Sequence, residues 1–299
     1  MTAATATKQV LLQRLEGLHQ IPTIPAVLAP LLRYLQQPVE QLDVQKVTDL
    51  ISQDKSLAAQ CLQMANSPLF GRAQSVQSLR GAVVSLGFHH VSDIAMSCGV
   101  LNMLPNGVSS LDPVVFWEHS LGCALVSRHI ARKINFSDPG KAYLAGLLHD
   151  LGIIVNLWLL PKEFSSAWEI GKAEGIPLHE AEQKAMGFSH CDSGRLLAER
   201  WQLAPELIEV VGCHHSPEKS TDHAGLVALV QLADLLCRMS GLNYGYVEER
   251  QVNLAEESGF GLLGQHSTRL KEFDWARLTF ELDSYMDEVH SLVRAIYRT

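Results

Sequence analysis

The chain has 299 residues, of which 47% are hydrophobic and 19% charged, with a formal net charge of -8. That length and balance suit a globular protein with a substantial core and exclude a disordered chain. The acidic balance, without a long Lys/Arg run, argues against general nucleic-acid binding. The most apolar stretch, Ala142 to Leu160, is interrupted by His149, Asp150 and Asn156, so a membrane span is not expected. Met1 to Lys8 is small and polar and does not read as a secretory signal, which makes the cytoplasm the expected location. The six cysteines (Cys61, Cys98, Cys123, Cys191, Cys213 and Cys237) form no CxxC pair and read as reduced core thiols.

In chain order, helix punctuation recurs and strand signals do not. Asp43 is placed to cap a helix to about Ser52, and Asp54 one that runs to Asn66. Asn66-Ser67 before Pro68 ends that helix in a turn. Ser78 precedes LRGAVVSLG, where Gly87 reads as the stop. Asp112-Pro113 and Asp138-Pro139 are two clear starts, each a capping carboxylate followed by proline at the first helical position. Ser189 precedes a helix from His190 to Trp201. Asp274 opens a last helix with apolar positions Leu278, Leu282, Tyr285, Met286, Val289, Leu292, Val293 and Ile296. That face packs in the core or forms a homodimer seam, which the sequence does not separate. The fold class is all-α. LPNGVSSLD, from Leu104 to Asp112, is the one plausible seam, and it divides the chain into helical lobes over 1–108 and 109–299.

Several polar residues stand where the pattern asks for a hydrophobe. His149-Asp150 lies inside LAGLLHDLGIIV, read as one greasy helix, and burial of such a pair is costly unless something binds it. For an isolated His-Asp pair, a satisfied core histidine beside a hydrogen-bonded aspartate is the plainer reading. His119 faces the apolar side of VVFWEHSLGCALVSRHIA, His190 begins a helix, His214-His215 closes PELIEVVGCHH, and Asp234 sits inside LVALVQLADLLCRM. A shared centre of one or two divalent transition-metal ions (Fe, Mn, Ni, Co or Zn) would satisfy them together.

The order His119, His149-Asp150, Asp234 resembles the H…HD…D signature of the HD superfamily of metal-dependent phosphohydrolases. HCDSGRLLAERWQLAPELIEVVGCHH resembles the segment of HDOD and HD-GYP proteins that precedes a double histidine. Upstream, IPTIPAVLAPLLRYLQ, LISQDKSLAAQCLQMANSPLFG and SLRGAVVSLGFHHVSDIAM are similar to the N-terminal half of the HDOD domain. The similarity covers roughly Leu15 to Leu236. It implies that His119, His149, Asp150 and Asp234 hold a first ion, and that His190, His214 and His215 hold a second, with Asp150 bridging. In an active relative, two such ions polarise a phosphate ester and supply a hydroxide, which would make Asp150 the catalytic ligand. Many HDOD proteins are regulatory.

The departures matter as much. Active HD enzymes commonly carry a lysine after the pair, as HDxGK, where this chain has Ile153. Ser216 follows the double histidine, there is no GYP triplet, and the position of a third-metal acid falls near Val115. The expected function is therefore an HDOD-type signalling protein that binds a protein partner or a small nucleotide, with metal-dependent phosphate-ester hydrolysis as the alternative. His89-His90 reads as exposed or a local cap. His179, Glu180 and Glu182 read as a solvated first turn, with either glutamate leaning into the metal cleft as the alternative, and His223 as a helix start rather than a ligand. Trp117, Trp158, Trp168 and Trp201 read as core.

Overall fold

The computed structural model describes residues 39–70, 75–101, 103–104, 111–267, 269–270 and 273–297, with Pro30, Leu31 and Tyr34. The IPTIPAVLAPLLRYLQ segment and most of the 104–112 seam lie outside them. The described residues form helices and no strand, which is the all-α class. They group into two compact units, one drawn from Leu104–Leu282 and the other from Pro22–Met103 and Asp283–Thr299.

In the second of these units, α1 (Val44–Ser52), α2 (Lys55–Ala65), α3 (Leu79–Leu86) and α4 (Phe88–Leu101) pack on one another. Their starts follow the punctuation. Asp43 accepts from the Lys46 N–H, Asp54 from those of Ser56 and Leu57, and Ser78 from that of Gly81. Each such cap satisfies a backbone donor left open by the first turn, for about 1 kcal/mol. Asn66 does more than end α2: its amide donates to the Val76 carbonyl at 2.9 Å and accepts from the Val76 N–H at 2.7 Å. His90 pairs through Nδ1 with the Leu86 carbonyl at 2.9 Å, a local cap, and His89 is exposed.

The other unit holds α5 (Pro113–Lys133), α6 (Pro139–Leu148), α7 (Leu151–Leu159), α8 (Pro161–Glu174), α9 (Leu178–Met186), α10 (His190–Arg200), α11 (Pro205–Cys213), α12 (Ala224–Met239) and α13 (Ser258–His266). α5 packs on α6 and α12, α7 on α10, α8 on α9, and α12 on α13. α5 and α12 are the innermost: every residue from Phe116 to Arg128 and from Gly225 to Cys237 is buried. A helix apolar on all sides belongs in such a place. A last helix, α14 (Trp275–Tyr297), opens on Asp274, which accepts from the Arg277 N–H. Its apolar residues Leu278, Leu282, Met286, Val289, Leu292, Val293 and Ile296 are buried.

Two readings are corrected. The apolar stretch around His149-Asp150 is not one helix. α6 ends at Leu148, Asp150 has φ -97° and ψ 20°, and α7 begins at Leu151. Pro139–Leu159 is long and apolar enough for a membrane span by length and composition, but most of it is buried inside the protein. Trp158, expected in the core, is 40% exposed, while Trp117 and Trp168 are buried as expected. Trp158 follows seven consecutive buried residues of α7 and faces out where that helix leaves the core.

Candidate metal centre

The seven residues singled out in the sequence come from five places in the fold. His119 lies mid-way along α5, His149 and Asp150 at the break between α6 and α7, and His190 at the first position of α10. His214 and His215 directly follow α11, and Asp234 sits inside α12. Two glycines let these helices approach. A Cβ on Gly146 of α6 would stand 2.6 Å from the Cys123 carbonyl oxygen of α5, so the His119 and His149 helices touch backbone to backbone. A Cβ on Gly152 of α7 would overlap the carbonyl of His190, and the missing side chain brings the start of α10 against Asp150.

All seven side chains meet. The His149 Nε2 lies 2.9 Å from Asp150 Oδ2, and the His119 Nε2 3.5 Å from the same oxygen and 3.3 Å from Asp234 Oδ1. On the other side of the carboxylate, the Nε2 atoms of His190 and His214 lie 3.1 and 3.4 Å from Asp150 Oδ1. His215 stands 3.1 Å from His190, Nε2 to Nε2, and its Nδ1 is 3.7 Å from Asp234 Oδ2. Asp150 thus separates a His119/His149/Asp234 group from a His190/His214/His215 group, with one oxygen toward each.

The imidazoles are oriented from behind. The Nδ1 atoms of His119, His149 and His214 face the backbone carbonyls of Leu242, Gly146 and Val210 at 2.7, 2.7 and 3.1 Å. A carbonyl only accepts, so each Nδ1 carries a proton, and each Nε2 is the atom turned inward toward the carboxylates. His190 Nδ1 instead faces the Glu182 carboxylate at 2.6 Å, and Glu182 also accepts from the His190 N–H at 2.7 Å. Imidazoles held this way are typical of metal ligation.

The electrostatics are those of a cation site. Burial works against the Asp150 charge, yet the imidazoles of His149, His119 and His190 hold its carboxyl well below the usual range. Burial would push His119 down, but Asp150 and Asp234 beside it push it up to about 10. His214 reaches about 10 in the same way, with burial opposed by Cys191 and Asp150. Burial and the neighbouring His179, His214 and His190 push His215 well down.

These residues fit a metal. Both Asp150 oxygens are buried and face imidazole Nε2 atoms, with no hydrogen bond from a backbone or hydroxyl donor among the described residues, an arrangement that a cation shared by carboxylate and imidazoles would satisfy. Two nitrogens bound to one ion at about 2.1 Å stand about 3.0–3.4 Å apart. The His119–His149 and His190–His214 pairs, both 3.3 Å from Nε2 to Nε2, match that spacing, as does His190–His215 at 3.1 Å.

The HDOD domain family model matches residues 21–217. The chain belongs to the HDOD domain family. An HDOD domain protein of unknown function from Geobacter sulfurreducens has a similar structure, with a TM-score of 0.83 and 29% identity over 98% of both chains. A protein of Shewanella amazonensis SB2B, provisionally described as a phosphohydrolase, shares the fold with a TM-score of 0.73 and 21% identity, over 96% of this chain and 97% of that one. An uncharacterized protein of Treponema pallidum is 25% identical over 78% of this chain, which spans 45% of that relative.

Within this HDOD centre, three residues outside the predicted ligand set contribute. Glu182 is wholly buried on His190, whereas its neighbour Glu180 is exposed, so the solvated-turn expectation is corrected for Glu182. The signal was present: Leu178, Ala181, Glu182 and Met186 are the buried stripe of α9, and the glutamate falls at an apolar position. Arg238, one turn after Asp234, donates to Asp234 Oδ2 at 2.9 Å and to both Glu248 oxygens at 2.7 and 2.9 Å. His179, also read as solvated, stacks on His215 with ring centroids 3.9 Å apart. His223 stands at the N-cap of α12, and its N–H donates to Glu209.

Proposed function

We propose that this HDOD protein is a cytoplasmic signal-transduction module that carries one or two divalent transition-metal ions in the Asp150 centre and binds a protein partner or a small nucleotide. The observation that carries this reading is a complete ligand set combined with its enclosure. The side chains of His119, His149, His190, His214, Asp150 and Asp234 are 0–2% exposed, and His215 is 12% exposed. Such a site suits ions held for structure or sensing more than a phosphate ester, which needs a wider mouth. Ile153, at the position where active HD enzymes carry a lysine, is itself fully buried, so no cation from that position meets developing phosphate charge. Arg238, whose guanidinium lies beside the centre, is already engaged by Asp234 and Glu248. The cytoplasmic placement is supported by six unpaired cysteines.

A second reading, metal-dependent phosphohydrolase, is favoured by the same ligand set. If it holds, the ions would polarise a phosphate ester and supply hydroxide. The protein's own part would be to fix Asp150 between the two groups of imidazoles and to leave the His215 side open.

Elemental analysis of the purified protein beside Asp150→Ala tests both readings. One or two transition-metal ions per chain, lost in the variant, are expected. Assays on p-nitrophenyl phosphate and bis-p-nitrophenyl phosphate with Mn, Fe, Co, Ni or Zn then separate them: turnover that depends on Asp150 would replace the signalling reading with the enzymatic one. Absence of metal from both proteins, before and after incubation with these ions, would defeat both.

A further inference from the structure

The residue after His190 is a cysteine, and it does not behave as a core thiol. Cys191 is partly exposed, whereas the other five cysteines are buried. Its Sγ stands 3.8 Å from His214 Nδ1 and 3.9 Å from His214 Nε2. Donor atoms of His190, Cys191, His214 and His215 all lie within 4.8 Å of one another. A zinc-like ion with sulfur at about 2.3 Å and nitrogen at about 2.1 Å, in a five-ligand shell with angles of roughly 90–120°, separates the two atoms by about 3.1–3.8 Å. The observed separation is close enough for a side-chain rotation to complete it.

We propose that Cys191 is a sulfur ligand of the second metal position, giving it three imidazoles and a thiolate beside the Asp150 oxygen. This rests on the metal-centre reading above and deepens it. When the ion binds, the sulfur–metal bond forms from the thiolate and the protons held by the sulfur and the imidazoles pass to solvent, with no change of oxidation state. A thiolate selects a borderline or soft divalent ion such as Zn2+, Co2+ or Fe2+ over Mg2+ or Mn2+. It also occupies a position that a metal-bound water would otherwise take, which fits an ion that is sensed or structural. The buried Cys123, with Sγ 3.4 Å from His119 Nε2, marks the first position. That group already has two carboxylates, so Cys123 serves as the comparison.

The test uses Co2+ as the probe on the full chain stripped with a chelator. Bound cobalt is counted by elemental analysis, and a thiolate-to-cobalt charge-transfer band is followed in the near ultraviolet. We expect the band in the wild type and in Cys123→Ser. In Cys191→Ser we expect it to vanish, with cobalt still bound but about tenfold more weakly. Alkylation of the wild type, mapped by mass spectrometry, should show Cys191 protected by cobalt, a readout that needs no variant to fold. Cobalt bound without a thiolate band, a band that survives in Cys191→Ser, or a Cys191 that alkylates equally with and without cobalt would overturn the sulfur ligand and leave the metal centre standing. Failure of the wild type to bind cobalt at all would overturn the metal centre itself, and the sulfur ligand with it.

Discussion

Glu182 and His190 form a closed pair: one carboxylate oxygen meets both the ring Nδ1, at 2.6 Å, and the backbone N–H, at 2.7 Å, of the same histidine. The other oxygen is held by the Asn156 amide at 2.9 Å. The glutamate thereby locks the His190 ring so that Nε2 faces Asp150. Glu182→Gln keeps the shape and removes the charge that orients the ring. Metal affinity is expected to fall about 10–100-fold, with helical content unchanged by circular dichroism. A competitive chelator titration measures it, and an unaltered affinity would show that His190 needs no such support.

Arg238 sits between Asp234 and Glu248 with its side chain 9% exposed. Arg238→Met leaves two carboxylates without their counter-charge, and breaking a buried pair in this way costs about 3–5 kcal/mol. The loss should be largest in the chelator-treated protein, because a bound ion compensates Asp234. Thermal melts with and without metal check this; an equal loss in both would detach Arg238 from the metal site.

Gly152 is the contact between α7 and α10. Gly152→Ala places a methyl group on the His190 carbonyl, where the neighbour is backbone and cannot rotate away. A destabilisation of about 3 kcal/mol and weakened metal binding are expected together. Denaturant midpoints would expose the idea as wrong if the variant matched the wild type.

Proton linkage gives the centre a pH signature. Without metal, His119 and His214 are pushed up to about 10 from an ordinary 6.5. A raised folded value means that their contribution to stability is full below about pH 6.5 and is lost as pH rises toward 10. The metal-free protein should therefore lose melting temperature across that window. Metal must displace these protons, so apparent affinity should rise with pH over the same range, and binding at neutral pH should release protons into a weakly buffered indicator solution. Metal uptake without proton release would contradict the protonation assigned to this pair.

Much of this was legible in the residues themselves. The caps at Asp43, Asp54, Ser78, Asp112 and Asp138 act within four residues of the backbone they satisfy. Local chemistry of that range can be read without a fold. His119 and Asp234 were visible because a polar group on an apolar helix face breaks a 3.6-residue pattern. Pattern alone puts Glu182, and not Glu180, on the dry side of α9, but it does not show that what Glu182 meets there is the His190 ring eight residues beyond. Nor could it show that the His149-Asp150 stretch breaks into two helices, for its apolar run is continuous on either side. Arg238 carries no local mark in the sequence, because its partner Glu248 comes from the 243–250 loop folded back on it. Periodicity records which side of a helix is dry. Which carboxylate meets which imidazole depends on helices drawn together at Gly146 and Gly152 by close backbone contact, and only the tertiary structure decides that.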